Sequence, residues 1–121
     1  MNKEVWILDD DLSIIKALYA ILSREGYIVQ GFSKFKDLSS QLKKKVPDLL
    51  LLDVLLNNED GLKLAKKLHE NNRYKNLPIV LVSANFISNE SIIDSTATGF
   101  LKKPFNIADL SSVVLHSFNT Y

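Results

Sequence analysis

Asp48-Leu49-Leu50-Leu51-Leu52-Asp53 sets four consecutive leucines between two carboxylates, with Pro47 just ahead and Gly61 soon after. Between those breakers the run is too short for a helix, and a strand apolar at every position must be covered on both faces. Val5-Trp6-Ile7-Leu8 upstream and Ile79-Val80-Leu81-Val82, after Pro78, are runs of the same kind. The intervening segments change period. Ile15, Leu18, Tyr19 and Leu22 recur at helical spacing as far as Gly26, which suits a left-handed C-terminal cap. Tyr27 to Phe32 reads as a strand, and Phe35, Leu38 and Leu42 mark a second helix that stops at Lys43-Lys44-Lys45 and Pro47. Leu62, Ala65 and Leu68 carry a third helix, opened by Asp60-Gly61. Ile87, Ile92 and Ile93 predict one short helix between Phe86 and Thr98, Phe100-Leu101 a brief last strand, and Ile107, Leu110, Val113, Val114 and Phe118 the final helix. Strand then helix, five times over, implies a parallel sheet with right-handed crossovers and helices on both faces. The expected fold is a five-stranded, doubly wound α/β domain in three layers.

Composition narrows the function. The 121 residues suit one domain, able to bury roughly two-thirds of the surface its unfolded chain exposes. With no cysteine there is no thiolate nucleophile, Cys-ligated zinc or iron–sulfur cluster. A net charge of +1 argues against a broad nucleic-acid surface. No apolar run approaches the roughly 20 residues of a membrane span, and Met1 to Asp9 lacks the pattern of a signal peptide. The expectation is a cytoplasmic domain, 1–121, without linker or output domain, standing alone or beginning a longer regulator.

In doubly wound sheets ligands bind beyond the carboxyl ends of the strands. The residues there are Asp9 and Asp10 after the first apolar run, Asp53 after the third, Ser83 after the fourth, and Lys102, Lys103 and Pro104 after the fifth. Three carboxylates in one pocket raise one another's pKa unless a cation compensates them. Hard oxygen ligands with open positions suit Mg²⁺, and Lys103 supplies a second positive charge. A metal, a carboxylate nucleophile at Asp53, a hydroxyl and an ammonium are the parts needed to receive a phosphoryl group.

Together, Ile7-Leu8-Asp9-Asp10-Asp11, the leucine run ending at Asp53, Asp60-Gly61, Val82-Ser83-Ala84 and Lys103-Pro104-Phe105 resemble the receiver domain of two-component response regulators, the CheY-like fold. Each motif is weak alone; all five in order, at the ends of the right strands, are specific. The resemblance implies strand order 2-1-3-4-5. It implies a phosphorelay function in which Asp53 takes a phosphoryl group from the phosphohistidine of a histidine kinase or phosphotransfer protein. Asp9, Asp10, Asp53 and the backbone carbonyl of Leu55 would hold Mg²⁺. Ser83 and Phe100 would form the switch, and Lys103 would precede a cis bond to Pro104. Such a domain assists its own phosphorylation and hydrolysis but is not an enzyme on outside substrates. It would be a monomer or weak dimer signalling to an unknown output partner, without binding nucleic acid or membrane. Two departures stand out: Asn57 replaces the family's usual proline, freeing the loop, and the stretch from Ser83 to Lys103 is short, which shortens the fourth helix.

Plainer readings stand beside these. Asp11 is expected to cap the first helix, Lys43-Lys44-Lys45 to be a solvated helix terminus, and Trp6 to be core. His69 and His116, near helix C-termini, follow no strand and are not expected in the chemistry. A nucleotide binder would need a Gly- or Ser/Thr-rich loop where Asp9-Asp10-Asp11 stands. Asp9 and Asp11 have the spacing of an aspartyl-phosphate phosphatase, but the chain has no room for a cap domain. A docking module that is never phosphorylated would have no need of every site position being filled.

Overall fold

The computed structural model describes residues 2–118. Five principal strands, β1 (Glu4–Leu8), β2 (Ile28–Phe32), β3 (Leu49–Asp53), β6 (Ile79–Ser83) and β7 (Gly99–Lys102), form one parallel sheet. Its order is β2-β1-β3-β6-β7, the expected 2-1-3-4-5 when those strands are counted along the chain. The helices are α1 (Leu12–Arg24), α2 (Phe35–Leu42), α3 (Gly61–Glu70), α4 (Asn89–Asp94) and α5 (Ile107–Ser117).

Side chains alternate across the three central strands, and this divides the core in two. Trp6, Leu8, Leu50, Leu52, Ile79 and Leu81 face Leu38 and Leu42 of α2 and Leu64, Ala65 and Leu68 of α3. Val5, Ile7, Leu49, Leu51, Val80 and Val82 face Leu18 and Leu22 of α1 and Leu110 and Val114 of α5. Every residue of β3 and β6 is buried, which is why their sequences show no polar alternation. The helical stripes were broader in sequence than in the fold: Tyr19, Ile93 and Ile107 are exposed. Trp6 is core as expected, and its indole N–H donates to Glu4 Oε2 (2.7 Å), so its polar edge is satisfied.

Helix starts follow the capping chemistry. Asp11 accepts from the Ser13 amide at α1 (2.9 Å), as read from the sequence, and Asp60, Ser88 and Asn106 do the same for α3, α4 and α5. The segment after β3 holds a feature that periodicity does not reveal. Leu55–Leu56 (β4) and Glu59–Asp60 (β5) pair antiparallel around Asn57 and Asn58 as a small hairpin, in the loop where proline is missing. The fourth helix is short, as expected, at six residues.

Candidate functional site

The register brings the expected residues together. Leu8 pairs with Leu52, so Asp9 follows one strand end as Asp53 closes its neighbour; Asp53 pairs with Val82, and Ser83 with Lys102. The two carboxylates that bracket the leucine run have separate fates. Asp48 lies at the far end of β3 and accepts the Glu4 amide (2.7 Å), a structural task, whereas Asp53 is buried at the site end, only 6% exposed.

Asp9 is buried with both oxygens engaged: one accepts the Asp11 amide (2.9 Å), the other the Lys103 ammonium (2.9 Å), and each keeps a lone pair for a further ligand. The same ammonium lies 3.7 Å from Asp53 Oδ1. Burial is the main force on the Asp53 carboxyl, and the negative charge of Asp9 adds to it. Lys103 and the Leu55 amide, 3.4 Å from Oδ1, oppose them without prevailing, and the pKa is pushed up to about 6. Lys103 shows the reverse balance: burial disfavours its charge, but the carboxylates of Asp9, Asp53 and Asp11 outweigh it and hold the ammonium above its usual range. The site therefore has more negative charge than one lysine satisfies. Asp9, Asp10 and Asp53 each offer an oxygen within 4.8 Å of the others, a donor set of hard ligands that fits a divalent cation.

Ser83 ends β6 fully buried, its Oγ accepting the Asn85 amide (3.0 Å) and its carbonyl accepting the Lys103 amide (2.8 Å). The Lys103–Pro104 bond is cis, as expected. Leu55 opens the hairpin two residues beyond Asp53, with its side chain exposed. Phe100, in register with Leu81, is half-buried against the α2–α3 side of the core.

In the sequence Gly61 opens a helix and belongs to the Asp60-Gly61 motif, and the structure gives it a further task. A Cβ there would stand 2.2 Å from the Asp53 carbonyl oxygen and 2.7 Å from Val54 Cα, while the Gly61 amide donates to the Val54 carbonyl (2.8 Å). The start of α3 is thus pressed against the backbone that carries Asp53. The Asp-Gly pair was legible; a close approach to a backbone eight residues earlier was not.

An acidic trio and a lysine at the carboxyl edge of a doubly wound parallel sheet define an α/β domain with a carboxylate-centred site. The match to known proteins is specific: the model of the response regulator receiver domain covers residues 5–115, and the chain belongs to that family. It is 30% identical over 119 residues to the DNA-binding transcriptional regulator NtrC of Proteus hauseri, a match covering 97% of this chain and 25% of that protein. It is 28% identical to the alkaline phosphatase synthesis transcriptional regulatory protein PhoP of Bacillus subtilis, over 94% of this chain and 48% of the relative. The chain thus spans between a quarter and about half of those two relatives. Among solved structures, a putative response regulator from Chloroflexus aurantiacus superposes with a TM-score of 0.91 at 28% identity, covering 98% of this chain and 99% of that one. Chemotaxis protein CheY4 of Vibrio cholerae, at 24% identity, shares the fold with a TM-score of 0.90 over 97% and 99% of the two chains.

Proposed function

We propose that the domain is a Mg²⁺-dependent phosphoacceptor of a two-component relay, taking its phosphoryl group on Asp53 from a phosphohistidine. The observation that carries this reading is the placement of Asp53: buried at a strand end, clustered with Asp9 and Asp10, and reached by Lys103. Asp9, Asp10 and Asp53, with the Leu55 carbonyl, would hold the cation. Bound there, it would neutralise charge on the oxygens of the transferring group.

An Asp53 carboxylate oxygen attacks phosphorus in line; the phosphorus–nitrogen bond of the donor breaks, and its electron pair returns to the imidazole. Lys103, already held by Asp9, turns toward the arriving phosphoryl oxygens. The Ser83 hydroxyl donates a hydrogen bond to one of them, and Phe100 follows by repacking against the core. The domain assists this transfer and the later hydrolysis without acting on any outside substrate. The donor is a histidine kinase or phosphotransfer protein. The output partner reads the changed surface of a monomer or weak dimer in the cytoplasm. Among the described residues no helix is long and apolar enough to cross a membrane. The chain itself binds no nucleic acid; DNA binding in relatives of NtrC type would belong to segments outside the aligned region.

Incubation with a small acyl phosphate and Mg²⁺ tests the reading. Wild type is expected to gain the mass of one phosphoryl group, and Asp53→Asn none. Equal labelling of both proteins refutes the assignment.

A further inference from the structure

His69 follows no strand and stands in the last turn of α3, at the opposite end of that helix from Gly61 and the Asp53 backbone. Yet both ring nitrogens are engaged: Nε2 lies 2.7 Å from the Leu77 carbonyl and Nδ1 2.6 Å from Thr96 Oγ1. The carbonyl can only accept, so Nε2 carries a proton, and in the neutral ring Nδ1 accepts from the Thr96 hydroxyl. In the imidazolium, Nδ1–H donates to Thr96 Oγ1 while that hydroxyl donates to the Ser95 carbonyl, also within reach. The contact closes in either charge state. One side chain at the end of α3 therefore ties the loop before β6 to the turn between α4 and β7.

What it ties down is the least anchored helix of the fold. No residue of α4 is fully buried, and Ile93 is 76% exposed. Its core contacts are the half-buried Ile92 with the flanking Ile87 and Ala97. The polar anchors gather at its C-terminal end. There Lys66 pairs with Asp94 (3.5 Å), and Ser95 is buried with its Oγ accepting the Ala97 amide (3.2 Å). Thr96 holds φ at 66°, a left-handed conformation that a branched side chain rarely adopts. At the N-terminal end, nearer Ser83, the Ser88 bonds go to α4's own Ser91 and Ile92, and Phe86 is 85% exposed.

We infer that the His69–Thr96 contact is a clasp that pins the far end of α4 and serves as its pivot, leaving the end beside the site, held by the apolar packing of Ile87, the one that swings. His69 is thus a positioning residue for the α4 surface and touches no reacting group. The inference concerns the unphosphorylated protein and does not rest on phosphoryl transfer to Asp53.

Native-state hydrogen exchange on the full chain tests it. In His69→Ala, amides of residues 91–97 are expected to exchange about tenfold faster, the loss of roughly one net hydrogen bond, while those of β1, β3 and β6 change less than twofold. Thr96→Gly separates clasp from fold stability. It removes the hydroxyl and also the left-handed strain, so α4 exchange should rise while the melting temperature stays level or increases. His69→Gln, which keeps a donor for the Leu77 carbonyl, should recover part of the protection. Unchanged α4 exchange in both His69→Ala and Thr96→Gly overturns the clasp. So does acceleration spread evenly over the sheet, the signature of a merely structural histidine.

Discussion

The Asp53 carboxyl, pushed up to about 6 from an ordinary 3.8, makes the site costly to the fold when its charge is uncompensated. Between those values the folded chain binds its proton more tightly than the unfolded chain, so this group's contribution to stability falls as pH rises from 4 to 6. Asp53→Asn is therefore expected to stabilise the metal-free protein at pH 7 by about 1–3 kcal/mol, the ceiling being the full two-unit shift. Thermal melts in chelator should show the gap fading as pH drops from 6 to 4, and a gap that grows on acidification would contradict it. Lys103 is the converse. Lys103→Met removes the cation facing Asp9 and Asp53 and should lower metal-free stability at pH 7 by about 1–3 kcal/mol. Mg²⁺ should recover part of that loss, and urea titrations with and without the ion measure both.

At the scale of elements, the approach of α3 to β3 sets where Asp53 stands. Gly61→Ala puts a methyl carbon against the Asp53 and Val54 backbone, where no flexible side chain can give way. It should cost about 1–3 kcal/mol and slow labelling of Asp53, and a variant with native stability and native rate would remove Gly61 from the site. Leu52→Ala, in the middle of the α2–α3 core, should cost about 2–5 kcal/mol by urea denaturation. The strands were legible because burial on both faces leaves unbroken apolar runs, and each site residue was legible as the first polar residue after such a run. Contacts with no local signature were not. The β4–β5 hairpin carries no alternation over two residues, and the exposure of Tyr19, Ile93 and Ile107 depends on which helix flank meets the sheet. The partners of His69 are 8 and 27 residues away, and helical spacing does not encode them.

At the scale of the whole molecule, both halves of the core hang on the same five strands. Trp6, the single tryptophan, reports on the α2–α3 side, while helix content reports on both. Their urea transitions should coincide, and separate midpoints would show that the two sides melt independently. The charge of +1 now resolves into opposed parts: Asp9, Asp10 and Asp53 gathered at the carboxyl edge of the sheet, and lysines largely exposed on helices and their ends, with Lys103 drawn into the site. That gathered negative charge is what a cation and a phosphoryl group would turn to use. Intact-mass analysis after incubation with a small acyl phosphate and Mg²⁺ tests this most directly. One phosphoryl group should appear on wild type, vanish when chelator replaces the ion, and be absent from Asp53→Asn. A wild type that stays unlabelled, or an Asp53→Asn protein labelled equally well, would contradict it.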